Sequence, residues 1–214
     1  MKKRLALLLS LLAAAGCTAQ NNASVKFAGM CLPPDDPTTC TFSATCSGQF
    51  IGQSTVDVGV TNKFWAVIQV DNQMPNNENL SNFRTNTNDA YVQEFEVEYS
   101  GAPLPITTGP VLGSGVVPAA GSTVISVLPV PEIVGTVLQG SVGLGGAIDI
   151  VAKMRLRGVY GDTTKFETGV FEFPLRVCNG CVGSFQTGCA LPDIAFICPP
   201  NDGQLPVSAQ CTTP

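Results

Sequence analysis

The chain contains no histidine, one tryptophan and few charged residues among its 214 residues. The absence of histidine excludes Ser-His-Asp and Cys-His catalysis and all His-ligated metal sites. Charged residues account for 13% of the chain, whereas a soluble domain usually carries about 25%. Acidic residues outnumber basic ones by 16 to 11, so the net charge is −5. Because an acidic chain binds the phosphate backbone poorly, we expect no nucleic-acid partner.

The chain also lacks an apolar run long enough to span a bilayer. Its N-terminal apolar segment, residues 5–15, follows Lys2, Lys3 and Arg4. As a helix, this segment would cover roughly half of a hydrocarbon core about 30 Å thick. A basic start followed by a short apolar run is typical of a secretory signal. The sequence therefore predicts an exported protein.

Small residues lead from the apolar segment into a cysteine, in the order Ala14-Ala15-Gly16-Cys17. This motif resembles the lipobox of bacterial lipoproteins. The resemblance implies a signal peptide over residues 1–16, cleavage before Cys17, acylation of Cys17 (palmitate among the chains), and a lipidated tether over residues 17–30. Because Thr18 is not Asp, it further implies attachment to the outer membrane, facing the periplasm or the cell surface. Two or three acyl chains anchor a protein firmly to a bilayer. The alternative is an ordinary signal peptide in which Cys17 has no special role.

The other eight cysteines lie at the two ends of the chain, which is typical of disulfide bonds in an exported protein. Three fall in a Cys-rich segment over residues 31–49, and five in a second one over residues 178–214, which we expect to pack on the body of the protein. Because three cannot all pair among themselves, full oxidation requires at least one bridge between the ends. The predicted disulfide cysteines are Cys31, Cys40, Cys46, Cys178, Cys181, Cys189, Cys198 and Cys211.

Two other chemistries are open to these cysteines. Residues 178–181 form a C-x-x-C motif, which occurs in redox-active sites. Cys178, Cys181, Cys189 and Cys198 could form a four-cysteine zinc site, although an oxidising compartment disfavours thiolates. Structural disulfides are the preferred interpretation, and we predict no cofactor and no metal.

Residues 50–177 contain no cysteine and mostly alternate between apolar and polar residues, which is typical of β-strands. The clearest alternations cover residues 94–99, 148–160 and 171–177, and Pro174 suggests an edge position for the last of these. Residues 131–139 have helical spacing and predict one short helix. We therefore predict a mainly β protein that forms an antiparallel β-sandwich, either immunoglobulin- or fibronectin-like or WHy-like. We expect it to have one short helix and disulfide-rich ends, with Trp65 in its core.

From Trp65 to about Val177 the chain also resembles the water-stress and hypersensitive-response (WHy) or late-embryogenesis-abundant type of β-sandwich. The resemblance rests on residues 70–73, 97–101 and 117–123, followed by the short helix and a closing hairpin. It implies a β-sandwich without known catalytic residues. The chain lacks the Asn-Pro pair that usually follows the first strand of that family.

Two polar groupings are candidate sites. Glu94, Glu96 and Glu98 share one strand face about 7 Å apart, a spacing that could serve glycoside hydrolysis, although a solvated acidic face explains them more simply. The second grouping is an oxygen-rich loop between residues 71 and 89, which could bind calcium or sugar. Its candidate binding residues are Asp71, Asn72, Asn76, Asn77, Glu78, Asn86, Asn88 and Asp89.

The sequence thus predicts a membrane-anchored bacterial lipoprotein with a non-catalytic binding or structural role in the cell envelope. Its expected partners are the lipid bilayer, through acylated Cys17, and other envelope proteins or a cell-surface polymer. No catalytic residue is predicted. Two alternatives remain. The first is an exported enzyme, or a redox or metal protein, that uses either Cys178 and Cys181 or surface carboxylates. The second is a subunit of a larger envelope assembly.

Overall fold

The computed structural model describes residues 24–31, 46, 50–59, 61–78, 86–102 and 108–181. In these ranges the chain forms ten β-strands and one α-helix. The strands are β1 Val25–Cys31, β2 Phe50–Ile51, β3 Ser54–Asp57, β4 Phe64–Asn72, β5 Ala90–Ser100, β6 Val111–Val117, β7 Gly121–Val130, β8 Ala147–Tyr160, β9 Lys165–Glu167 and β10 Phe171–Cys178. The helix, α1, spans Glu132–Ser141 and connects β7 to β8.

The strands form two sheets that share one hydrophobic core. The smaller sheet has the order β2-β1-β4-β7, and the larger has the order β3-β10-β8-β5-β6, with β9 added beside β8. Among the described strands, β3 and β10 form the one parallel pair, and the other pairs are antiparallel. The predicted mainly β sandwich with one short helix is confirmed.

The core is built by the alternation that the sequence displays. Along β8, every second residue from Ile150 to Tyr160 is buried, and the residues between them are partly exposed. Ala, Val, Leu, Ile and Phe on the inner faces of both sheets exclude water and provide the main driving force for folding. The largest fully buried side chains include Phe173, Met30, Ile68, Leu138, Ile150, Met154, Leu156 and Leu175.

Strand β1 carries the sandwich further toward the N-terminus than the sequence indicated. It begins at Val25, inside the range predicted as the tether, and pairs with β4 from Asn72 to Ile68. Val25 and Met30 are both buried in the core. The apolar residues of this segment therefore complete the smaller sheet.

Two positional predictions are wrong. Strand β10 lies between β3 and β8 rather than at an edge. Because β3 pairs only with Leu175–Cys178, Pro174 lies beyond that ladder, where a missing N–H costs no bond to β3. Trp65 alternates with the core residues Phe64 and Ala66 and is half-buried outside the core.

Helix α1 packs one face against the turn that precedes β4. Val134, Gly135 and Leu138 are its buried residues. A Cβ at Gly135 would overlap the backbone carbonyl of Asn62, so a glycine is what permits this close approach. The helix is thereby held at the end of the sandwich where β3 and β10 also terminate.

Candidate functional site

The C-x-x-C motif lies at the C-terminal end of β10, where the two parallel strands β3 and β10 both end. Cys178 and Cys181 form a disulfide with 5.8 Å between their Cα atoms. Cys178 is fully buried, whereas Cys181 is partly exposed. The two cysteines thus differ in their access to solvent.

A buried carboxylate lies beside this disulfide. Asp57, the last residue of β3, has no exposed surface. Its Oδ1 atom accepts hydrogen bonds from the backbone N–H groups of Gly59, at 2.8 Å, and Gly180, at 2.7 Å. A carboxylate oxygen of Asp57 and the two cysteine sulfurs all lie within 4.8 Å of one another. Asp57 therefore fixes the C-x-x-C turn against the end of β3.

The Gly-rich loop after α1 forms the other wall of this site. The backbone N–H of Gly145 donates to the carbonyl of Asn179, at 2.7 Å, and the N–H of Asn179 donates to the carbonyl of Gly146, at 3.2 Å. The Asn179 side chain donates to the carbonyl of Val142 at 2.9 Å. In the same loop, Leu144 has 90% of its surface exposed. The disulfide turn is thus held on two sides, with an apolar side chain projecting next to it.

A second disulfide joins Cys31 at the end of β1 to Cys46, with 5.1 Å between their Cα atoms. It closes a loop of 15 residues, for which chain-entropy arguments give roughly 3 kcal/mol of stabilisation. The predicted bridge between the two ends of the chain would involve the remaining cysteines. Those residues, Cys40, Cys189, Cys198 and Cys211, lie outside the described residues, as does Cys17, the predicted site of acylation.

A cation that would bind Asp57, Cys178 and Cys181 needs thiolate ligands. In the structure both sulfurs belong to the disulfide, so the grouping offers no thiolate in this form. Two members of the four-cysteine zinc alternative, Cys189 and Cys198, lie outside the described residues.

The carboxylates considered for hydrolysis lie opposite basic residues on the outer face of the larger sheet. Glu94, Glu96 and Glu98 of β5 pair in register with Arg157, Arg155 and Lys153 of β8. These six residues form a cross-strand charge ladder.

The shortest ion pair of the ladder joins Arg157 to Glu96, at 2.8 Å. The Nε atom of Arg157 also donates to Glu167 of β9 at 3.0 Å. This hydrogen bond, together with the charge of Glu96, raises the pKa of the Arg157 guanidinium above its usual range. Such partly exposed pairs contribute at most about 1 kcal/mol each. The ion pair with Arg157 keeps Glu96 in contact with a cation.

A shallow cleft of about 370 Å³ lies beside the ladder, where β5 bulges away from β8. It has the size of a small-ligand site, but its acidic and basic groups largely face one another. The cleft is lined by Gln93, Glu94, Arg157, Gly158, Lys165, Phe166 and Glu167.

The oxygen-rich loop uses most of its candidate side chains to hold its own shape. Buried Asn72 donates to the carbonyls of Asn88, at 2.8 Å, and Val117, at 3.1 Å, and accepts from the N–H of Met74 at 3.0 Å. Asp71 accepts from the Ser122 hydroxyl at 2.8 Å. Asn72 therefore ties the loop both to its own strand, β4 of the smaller sheet, and to β6 of the larger sheet.

The remaining candidates of this loop make similar internal contacts. The Asn77 side chain donates to the Thr87 hydroxyl at 2.7 Å and accepts from the Thr87 N–H at 2.9 Å. Four more members bond to neighbouring groups: Asn76 to the Glu78 N–H, Asn86 to Asp89, Asn88 to the Pro75 carbonyl, and Asp89 to the Ala119 N–H. Ligand binding by this loop stays a prediction, and a bound cation would have to compete with these hydrogen bonds.

Asp57 is the site residue that sequence analysis missed. It ends the segment Ser54-Thr55-Val56-Asp57, for which the sequence predicted no element. Its burial depends on the parallel pairing of β3 with β10, between segments more than 100 residues apart in the chain. The order of the strands, which no local pattern encodes, places it beside Cys178.

Comparison with known proteins leaves the family open. No protein-family model matches the chain, and no curated protein matches it. Among solved structures, the chain is similar to the solution structure of a protein described as late embryogenesis abundant (LEA). The two share 12% identity over 83% of this chain and 87% of the other, with a TM-score of 0.41. Within the described residues, no helix is both long and apolar enough to cross a membrane.

Proposed function

We propose that the protein is a bacterial lipoprotein, in which acylated Cys17 anchors a disulfide-bonded β-sandwich to the outer membrane. Its sandwich has a non-catalytic binding or structural role in the cell envelope. Support for the anchor comes from Lys2, Lys3 and Arg4, the apolar residues 5–15 and the lipobox-like residues 14–17. Acyl chains on Cys17 would hold the protein at a bilayer without a membrane span.

The non-catalytic role of the sandwich rests on one observation, the cross-strand charge ladder. A general acid or nucleophile must be able to reach its substrate and change its protonation or bonding state. Glu96 is instead engaged by Arg157 at 2.8 Å, and Glu94 and Glu98 lie opposite Arg157 and Lys153. The ion pair of Glu96 and the opposed charges along the two strands favour a structural use of the carboxylates over hydrolysis.

The anchor can be tested by fractionating a Gram-negative host that expresses the full chain. We expect the wild-type protein in the outer-membrane fraction, resistant to extraction by high salt. The C17S variant should leave that fraction, because it has no sulfur to acylate. T18D should shift the protein to the inner membrane, as the lipoprotein resemblance implies, whereas the control T18S should not. Wild-type protein that is released by salt, or C17S that stays bound, would contradict the proposal.

A second candidate function, as a subunit of an envelope assembly, is favoured by strand β6. This strand lies at an end of the larger sheet as described and contains neither a charge nor a proline, the usual protections of an edge strand. Leu112 and Val116 of β6 are 90% and 48% exposed, and the adjacent Tyr91 of β5 is 42% exposed. An antiparallel copy of β6 centred on Ser114 would place Leu112 of one protomer opposite Val116 of the other.

This second candidate can be tested by cross-linking through Ser114. At the centre of an antiparallel pair, two Cα atoms lie about 4.5–5.5 Å apart, which is within disulfide range. We therefore expect S114C to form a covalent dimer on a non-reducing gel, and the double variant S114C/L112E not to do so. The control S126C, on exposed Ser126 of β7, should stay monomeric. Equal cross-linking of S114C and S126C would rule out pairing through β6.

A further inference from the structure

A disulfide between one buried and one partly exposed cysteine lies beside a buried carboxylate at the end of β3 and β10. We propose that Cys178 and Cys181 form a thiol–disulfide exchange site for polypeptides that contain two cysteines. In this site Cys181 bonds to the partner, and Asp57 holds the C-x-x-C turn in place. The inference goes beyond the proposed anchoring and does not depend on acylation of Cys17.

The difference in exposure determines which sulfur reacts with the partner. Exchange begins when a thiolate attacks one sulfur of a disulfide, so the attacked sulfur has to be accessible. Cys178 has no exposed surface, and Cys181 is partly exposed. A partner thiolate therefore attacks Cys181 and displaces Cys178.

Asp57 lies beside both reacting sulfurs. Its carboxylate is fully buried, and one of its oxygens lies within 4.8 Å of both sulfurs. A buried thiolate next to a carboxylate is disfavoured by desolvation and by like charge. The displaced Cys178 sulfur therefore takes up one of the protons of the partner dithiol, and in the reverse direction its thiol loses that proton before it attacks Cys181.

The complete exchange balances without any further reagent. The first partner thiolate forms a bond to the Cys181 sulfur, and the bond between Cys178 and Cys181 breaks. The second partner thiolate then attacks its own mixed disulfide and releases Cys181. Two electrons and two protons pass from the partner dithiol to Cys178 and Cys181, and the partner leaves as a disulfide. A partner disulfide reverses the same steps.

An apolar contact for the partner lies next to the reacting sulfurs. Leu144 is 90% exposed, and its Cδ1 atom is 3.4 Å from the position that a Cβ on Gly180 would occupy. Because Gly180 has no side chain, an extended polypeptide can approach the C-x-x-C turn and pack on Leu144. This arrangement fits a polypeptide partner better than a small polar thiol.

The first test compares the two cysteines in the detergent-solubilised full-length protein, with glutathione disulfide as the probe. Single variants C178S and C181S are reduced, exposed to the probe and analysed by mass spectrometry of alkylated peptides. We expect C178S to form a mixed disulfide with glutathione at Cys181 at least about tenfold faster than C181S forms one at Cys178. The disulfide between Cys31 and Cys46 is the internal control and should be reduced more slowly than Cys178–Cys181. Equal rates at Cys178 and Cys181, or equal reduction of the two disulfides, would overturn the proposal.

The second test isolates the positioning role of Asp57. D57A removes the oxygen that accepts from Gly59 and Gly180, whereas D57N keeps an oxygen that can accept from both. We expect D57A to slow closure of the Cys178–Cys181 disulfide by about tenfold or more, and D57N to restore most of the wild-type rate. D162A, in the exposed turn after β8, is the matched control and should close at the wild-type rate. A D57A rate like that of wild type would refute the role of Asp57. If D57A fails to fold, the comparison of C178S with C181S still decides whether the exchange site exists.

Discussion

The contact between α1 and the turn before β4 predicts opposite effects for the same substitution at two positions of one helix. Gly135 is buried, and a Cβ there would lie 2.8 Å from the Asn62 Cα atom and closer still to its carbonyl. Two carbon atoms in contact normally lie about 3.5–4.0 Å apart. Gly140 is exposed, and a Cβ at that position has nothing within 4 Å. G135A should therefore destabilise the fold, and G140A should stabilise it.

The magnitudes follow from two opposing terms. Replacing Gly by Ala inside a helix gains up to about 1 kcal/mol, and about half of this is expected at Gly140 because it lies in the last turn. Overpacking costs about 1–3 kcal/mol. The upper end of this range applies at Gly135, because its Cβ would collide with backbone atoms of Asn62. We expect G135A to lose about 2 kcal/mol and G140A to gain about 0.5 kcal/mol. The helix would have to move away from Asn62, together with its core residues Val134 and Leu138.

The assay is urea unfolding with the disulfides intact, followed by the fluorescence of the single tryptophan, Trp65. The free energy of unfolding of each variant is compared with that of wild type at the same pH. A G135A variant as stable as wild type, or equal shifts for G135A and G140A, would refute the close approach of α1 to Asn62.

Two further predictions concern buried polar side chains. The Tyr99 hydroxyl donates to the Pro129 carbonyl at 2.6 Å, and burial raises the pKa of Tyr99 above its usual range. The folded state thus keeps a proton that the unfolded chain loses above about pH 10, so stability falls with rising pH by up to about 1.4 kcal/mol per unit. Y99F should lose about 1 kcal/mol at pH 7 and show a weaker alkaline decline; an unchanged decline in pH-dependent urea unfolding would contradict this. N72A removes three hydrogen bonds and should cost about 2–4 kcal/mol. The Met74 N–H, which donates to Asn72, should then exchange faster, and unchanged exchange there would refute the bracing role of Asn72.

The local patterns of the sequence predicted most of the individual elements. Alternation identified β8 and β5 because one side of each strand faces the core and the other faces solvent. Residues 131–139 predicted α1, observed at Glu132–Ser141, because its apolar residues repeat with helical spacing. The cross-strand partners of Glu94, Glu96 and Glu98 were not predicted, since register depends on the whole sheet.

The remaining features depend on which strands become neighbours. Pro174 predicted an edge, but the short β3 adds to β10 beyond that residue. The burial of Asp57 was not predicted, because its partner Gly180 is 123 residues away in the sequence. The pairing of Cys178 with Cys181 was one of many connectivities that cysteine spacing allows.

The intact mass of the protein extracted from its own membranes tests the lipid anchor and the disulfides together. Free thiols are alkylated before and after reduction, so that the same spectrum reports the mature N-terminus, the acyl chains and the disulfides. We expect a chain that begins at Cys17 and carries acyl chains, with no alkylation before reduction and eight additions after it. A mature chain that begins elsewhere or carries no acyl group would contradict the anchored lipoprotein, and free thiols at Cys31 or Cys46 would contradict the disulfide-bonded sandwich.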